Sequence, residues 1–188
     1  MRRSKQETAA TRVRIVEAAS GEFRRNGIAS TGLNELMAAA GMTHGGFYRH
    51  FASKDQVVTE ACAVAVDSVM AQIVEAVARG DQENRLGSAV NRYLSASQRD
   101  NPPVSCPLAT LGSELARCDE ATRAVATEGF LKLAEMFGSM VSDASVGEAR
   151  RKGLVAVSMM VGALTISRIV NDRKLSNAIL REVKQAIL

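Results

Sequence analysis

The sequence predicts an all-α chain of about nine helices, and three observations predict it. Apolar residues recur every three or four positions along most of its length. No segment alternates apolar and polar residues as a half-buried strand would. Gly27, Gly41, Gly80 and the prolines at 102, 103 and 107 fall where the periodic runs stop.

The first helix is expected from Arg12 to Asn26, where Ile15, Ala19 and Phe23 recur at intervals of four and Arg14, Glu17, Arg24 and Arg25 take other positions. Gly27 ends it. Thr31 is expected to cap a short second helix, "GLNELMAAA", which stops before Gly41. Thr43 caps a third, His44 to Phe51. Ser53 caps a long fourth, in which "SKDQ" resembles a capping box and the apolar stripe runs to Gly80. A further helix is expected from about Glu83 to Arg99, a Pro-rich break at "DNPPVSCP", then "LATLGSELAR". Helices from Glu120 to about Ser142 (capped by Asp119), from Val146 to Val170 and from Leu175 to Leu188 complete the chain.

With 188 residues, 46% of them apolar, the chain can bury a sizeable core. No run approaches eighteen uncharged apolar residues; the nearest, "GLVAVSMMVGALTIS", is bounded by "RRK" and Arg168 and reads as a buried helix rather than a membrane span. "MRRSKQET" is followed by no apolar run, so no secretory signal is expected. Three cysteines without CxxC spacing suggest neither a disulfide framework nor a metal site, and a cytoplasmic protein with reduced thiols is expected. The formal charge of +4 is uneven. Residues 1–54 hold nine Lys and Arg against four Asp and Glu, a net +5, and residues 55–188 are close to neutral. A small basic unit on a neutral body suits a phosphate-backbone binder, although many proteins that bind nothing anionic share it.

Two adjacent glycines at the start of the third helix, in "THGGFYR", each disfavour helix by about 0.8–1 kcal/mol relative to alanine. If Phe47 and Phe51 pack inward, then His44, Gly45, Tyr48 and Arg49 face outward with Gly46 beside them, and residues lacking a Cβ let a helix approach base edges closely. Thr43, Tyr48, His50 and Lys54 carry groups suited to phosphate oxygens, leaving His44 and the Gly45/Gly46 backbone to meet bases. Each of these side chains also has an ordinary structural reading, as a capped turn or a solvated charge.

The stretch from Thr11 to Asp55 resembles the amino-terminal unit of the TetR family of bacterial transcriptional repressors, through Thr11, Ile15, Ala18, Ala19, Phe23, Gly27, Thr31, Leu36, Ala40, Gly41, Phe47, Tyr48, His50, Phe51, Ser53 and Lys54. The resemblance implies a DNA-binding domain over 1–54 and a helical ligand-binding and dimerisation domain over 55–188. It implies phosphate contacts from Thr31, Thr43, Tyr48, His50 and Lys54, and base reading from His44, Gly45, Gly46 and Tyr48. It also implies a bacterial cytoplasmic homodimer on a near-palindromic operator in double-stranded DNA, with no cofactor, no metal and no membrane partner. Met37 departs from the family's usual alanine, so the second and third helices are expected to sit slightly farther apart.

For an effector, a small apolar or electrophilic molecule, the expected pocket residues are Leu108, Leu111, Phe130, Phe137, Met140, Met160 and Leu164. Cys106, after a proline-containing loop and at the start of a short helix, resembles a subgroup of the family. Two readings stay open for it: a thiol acidified by the helix terminus that senses oxidants or electrophiles, with Cys118 as partner, or a small buried residue. Gly153, Leu154, Val157, Val161, Gly162, Ile166, Ile179, Leu180 and Val183 are the expected dimer contacts on the last two helices. An enzyme is disfavoured, since both histidines lie in the helix-turn-helix and no HExxH, GxSxG or P-loop pattern occurs. A helical scaffold or interaction protein remains the alternative.

Overall fold

The computed structural model describes residues 5–81, 83–141 and 145–188. Among them the chain forms nine α-helices and no strand: α1 (Lys5–Asn26), α2 (Leu33–Ala39), α3 (Lys54–Arg79), α4 (Arg85–Tyr93), α5 (Ala96–Asp100), α6 (Pro107–Leu115), α7 (Glu120–Gly138), α8 (Val146–Ile169) and α9 (Arg173–Ile187). Two 3-10 segments, His44–Arg49 and Pro102–Val104, lie between them.

Local chemistry accounts for most boundaries. Gly27 (φ 90°) and Gly41 (φ 71°) end α1 and follow α2 in the left-handed region, which a side chain disfavours. Ser53, Asp119 and Ser145 each accept the backbone N–H three residues on, at the starts of α3, α7 and α8. At α3 the Gln56 carboxamide also accepts the Ala52 N–H at 2.9 Å, one residue before the position a capping box would use.

Four expectations change. α1 starts seven residues before Arg12. The run from Glu83 to Arg99 is two helices, because Ser95 accepts the Gln98 N–H at 3.2 Å and opens α5 after the chain turns at Leu94. The third helix is a 3-10 segment. α7 ends at Gly138, and its expected end at Ser142 lies outside the described residues.

Two apolar cores meet along α3. The first gathers Ile15, Phe23, Leu36, Phe47 and Phe51 around Val57, Val58, Ala61 and Cys62 of α3, with Leu111 and Leu115 of α6. The second surrounds Val69, Ile73 and Val77 with Tyr93, Leu133, Phe137, Val157, Met160, Leu164 and Leu180. α3 is therefore one continuous beam through both cores, and α6 reaches both as well. By length and hydropathy α3 and α8 are each apolar enough to cross a membrane, although Glu60, Asp67 and Glu75 interrupt the apolar run of α3. Here both helices bury apolar residues against their neighbours.

The loop before α6 is pinned by two arginines. Arg24, placed off the apolar face by its spacing, is 8% exposed and donates to the carbonyls of Ser20 and Ser105 at 2.9 and 2.8 Å. No carboxylate accepts from it among the described residues, and burial lowers its pKa to about 10, so it stays charged at neutral pH. Arg168 of α8 donates to the Gln98, Arg99 and Ala109 carbonyls and to the Ser105 hydroxyl. Residue 105 thus joins α1 to α8.

Candidate functional site

The segment after α2 is held from behind and open in front. Phe47 and Phe51 are buried with ring centroids 5.7 Å apart. Arg12 of α1 stacks over the Phe51 ring at 4.5 Å, donates to the His50 carbonyl at 3.3 Å and forks onto both oxygens of Glu60 in α3. This clamp fixes the end of the segment against α1 and α3. Thr43, His44, Gly45, Tyr48 and Arg49 are exposed, Tyr48 at 67%, and His50 is half-buried. Thr43 occupies the N-cap position without a side-chain capping bond. Arg49 makes no side-chain ion pair or hydrogen bond among the described residues, so its guanidinium is available to an anion.

Three of the expected contact residues are committed elsewhere. Thr31 is fully buried and its hydroxyl donates to the Gly27 carbonyl at 2.7 Å; the N-cap of α2 is Gly32, whose N–H is accepted by Glu35 at 3.0 Å. Neither the capping role nor a phosphate contact is open to Thr31 in this conformation. Lys54 points inward, its Nζ donating to the Ile28 carbonyl at 2.5 Å and lying 5.9 Å from the Phe23 ring centroid. Gly46 faces the fold, where a Cβ would stand 3.6 Å from Met37 Cε. Met37 is itself fully buried. The glycine pair therefore splits its work, with Gly46 against the methionine and Gly45, which has open space around it, on the exposed side.

In the second core the expected pocket residues separate. Leu108 and Phe130 line an open groove of about 610 Å³ between α6, α7 and α8, together with Gly112, Leu115, Ala116, Arg123, Ala126, Thr127, Ser158, Val161 and Gly162. Leu111 belongs to the first core, and Phe137, Met160 and Leu164 are packed solid in the second, so none of them borders the groove. Met140 lies away from it, beside Leu86. Cys106 is fully buried at the start of α6. Burial pushes its thiol pKa up, outweighing the Tyr93 hydroxyl and the backbone N–H groups of Leu108 and Ala109, so of the two readings left open for Cys106 its surroundings favour the small buried residue over the acidified thiol. Cys118 is half-buried against the other core, its thiol donating to the Glu114 carbonyl, and Cys62 is buried in α3.

The expected dimer residues divide likewise. Gly153 is where α7 and α8 touch, since a Cβ there would overlap the Ala134 carbonyl oxygen. Val157 and Leu180 are core, and Leu154, Val161, Ile179 and Val183 are half-buried against it. Gly162 and Ile166 are exposed, in a stripe that periodicity did not single out: Val155, Met159, Gly162, Ile166 and Ile169, at spacings of four and three along one face of α8. Arg12, Arg24, Glu114, Arg123 and Arg168 were also missed, because a charged residue on an amphipathic helix reads as solvated. Among the described residues no group of three or more His, Cys, Asp or Glu is placed to hold a metal.

Residues 15–61 match the family described as "Bacterial regulatory proteins, tetR family". The segment is similar to the HTH-type transcriptional regulator TtgR of Pseudomonas putida, 41% identical over 58 residues, or 31% of this chain and 28% of that protein. That alignment spans little more than a quarter of the relative's length. The uncharacterized HTH-type transcriptional regulator YxaF of Bacillus subtilis is 26% identical over 170 residues, 87% of each chain. A TetR-family transcriptional regulator from Cytophaga hutchinsonii superposes with a TM-score of 0.80 over 100% of this chain and 96% of its own, at 21% identity, a likeness of fold. The matched residues build most of the first core and carry the exposed segment at 43–49, so sequence and architecture agree that residues 15–61 form a unit of the kind described as the tetR family of bacterial regulatory proteins.

Proposed function

We propose that this protein is a transcriptional repressor that binds a near-palindromic DNA site as a homodimer and is released by a small-molecule effector, with residues 1–54 as the DNA-binding unit and 55–188 as the effector and dimer unit. The observation that carries the reading is the exposed row Thr43, His44, Gly45, Tyr48 and Arg49, held rigidly from behind by Phe47, Phe51 and Arg12. His44, Tyr48 and the Gly45 backbone face the major groove; Thr43, Arg49 and His50 take phosphates. Thr31, Gly46 and Lys54 act as positioning residues. The α8 stripe, with Leu175, Ile179 and Val183 of α9, forms the dimer contact, since Val155, Ile166 and Ile169 are each about half or more exposed. The protein works in the bacterial cytoplasm.

α6 links groove to reading segment. Its Gly112 and Leu115, with Ala116 just past its end, line the groove, while Glu114 accepts the Ala29 N–H, in the turn between α1 and α2, at 2.8 Å. An effector that favours one position of α6 shifts that turn, and DNA must weaken effector binding by the same factor.

Selection of duplexes from random DNA by the purified protein tests the reading. One near-palindrome with half-sites about 34–36 Å apart is expected. Tyr48→Ala and Arg49→Ala should each weaken binding about tenfold, and Arg49→Ala should flatten the salt dependence by roughly one counterion. No enriched motif from a folded protein would favour the scaffold reading, and an enriched single half-site would remove the dimer. Glu114→Ala is expected to raise the Kd for the selected site about fivefold, since the Ala29 N–H loses a charge-assisted acceptor. An unchanged Kd would take α6 out of the path.

A further inference from the structure

We propose that the groove between α6, α7 and α8 binds a small amphipathic organic anion, an apolar chain or ring bearing one carboxylate-type group whose charge is taken by Arg123. The proposal rests on the effector reading of this groove and gives its ligand a chemical class.

Three features of the lining carry it. Its walls are apolar, with Leu108, Leu115, Phe130 and Val161 the large contributors. Gly112 and Gly162 open it, as a Cβ at either would meet nothing within 4 Å. At about 610 Å³ it lies within the range, roughly 300–1,000 Å³, of sites that take small organic ligands.

The polar lining narrows the class. Thr127 and Ser158 donate their hydroxyl protons to carbonyls of their own helices, Arg123 and Leu154, both at 2.8 Å. The Arg123 guanidinium makes no ion pair or hydrogen bond among the described residues. Among the described residues no acidic side chain lines the groove, and Glu128, on the same helix, is paired with Lys132 at 2.7 Å. The site therefore presents an apolar body and one unpaired cation with a planar fork of donors. A neutral apolar ligand leaves that fork unused, an organic cation is repelled by it, and a carboxylate accepts two parallel N–H donors. Arg123 is exposed at the mouth, so the charge preference should shrink as salt rises.

Octanoate and 1-octanol, equal in chain length and different in charge, are titrated calorimetrically into the full-length protein. Octanoate is expected to bind at least tenfold more tightly. Arg123→Gln should bring the two within threefold, Arg123→Lys should restore part of the preference, and Gly112→Leu, which fills the groove, should weaken both about tenfold. Unchanged thermal midpoints in the Arg123 variants show that folding is not the cause. Equal binding of the two probes by the unaltered protein, an undiminished preference in Arg123→Gln, or no binding of either because a second copy fills the groove would each overturn the proposal. Titration of the selected DNA site keeps the readings separate. Octanoate bound with the expected preference but without effect on DNA affinity supports the anion site and removes only the effector role, whereas octanoate that releases DNA supports both.

Discussion

Arg168→Met is expected to lower the thermal midpoint by roughly 6–12 °C, the equivalent of about 3 kcal/mol in a chain of this size. The guanidinium donates to the Gln98, Arg99 and Ala109 carbonyls at 2.7–3.1 Å and to the buried Ser105 hydroxyl. Methionine fills similar volume and donates nothing, so acceptors in a half-buried corner lose their partners at once. An unpaired buried acceptor costs more than a hydrogen bond gains, which is why the loss should exceed that of one ordinary hydrogen bond. Because Arg24 of α1 holds the carbonyl of the same Ser105, slackening the loop should also raise protease sensitivity around 101–106. A midpoint within 2 °C of the unaltered protein would mean that water replaces the guanidinium without loss.

The second large effect is at Gly153, where two terms oppose. Gly153→Ala gains about 1 kcal/mol of helix propensity within α8. It also drives a Cβ into the Ala134 carbonyl oxygen and to 3.1 Å from the Gly138 nitrogen, backbone atoms that no rotamer change can move aside. Overpacking of this kind costs about 1–3 kcal/mol or more, and the rigidity of the neighbours places it at the upper end. The packing term wins, and a net loss of about 2 kcal/mol, or roughly 4–8 °C, is expected in a melt. Gly21→Ala, in α1 with nothing within 4 Å of the added Cβ, supplies the opposite sign, a gain of about 0.5–1 kcal/mol. Two variants that shift the midpoint in the same direction would show that the separation of α7 and α8 is not set by this contact.

What was legible beforehand was whatever depends on neighbours in the chain. The 3.6-residue period, the caps at Ser53 and Asp119 and the stop at Gly27 are local, and α3, α6, α7, α8 and α9 appear within a few residues of where periodicity placed them. The motif around "HGGFYRHF" was legible for the same reason, and the match over 15–61 covers it. The break at Ser95 is local as well, but a hydroxyl inside an apolar run reads equally as a solvated position.

The direction in which a polar side chain points was not legible. Lys54, Thr31 and Arg24 looked solvent-facing or ligand-facing, and each finds a carbonyl instead: Lys54 and Arg24 those of Ile28 and Ser105, carried to them by other segments, and Thr31 that of Gly27 in its own turn. Cys106 turns on the same point, for the helix terminus that would acidify it is buried with it, and desolvation prevails. Among apolar residues, period shows which face is buried but not what covers it. Val157, Leu180 and Met160 therefore lie in the core, while Val155, Ile166 and Ile169 stand exposed on α8. The sequence by itself determined most of the helices and the resemblance carried by residues 15–61, since those rest on short-range spacing. Only the tertiary structure decided which charges are spent inside the fold and which, at Arg49 and Arg123, stay without a partner among the described residues, because a charge is neutralised by what lies near it in space.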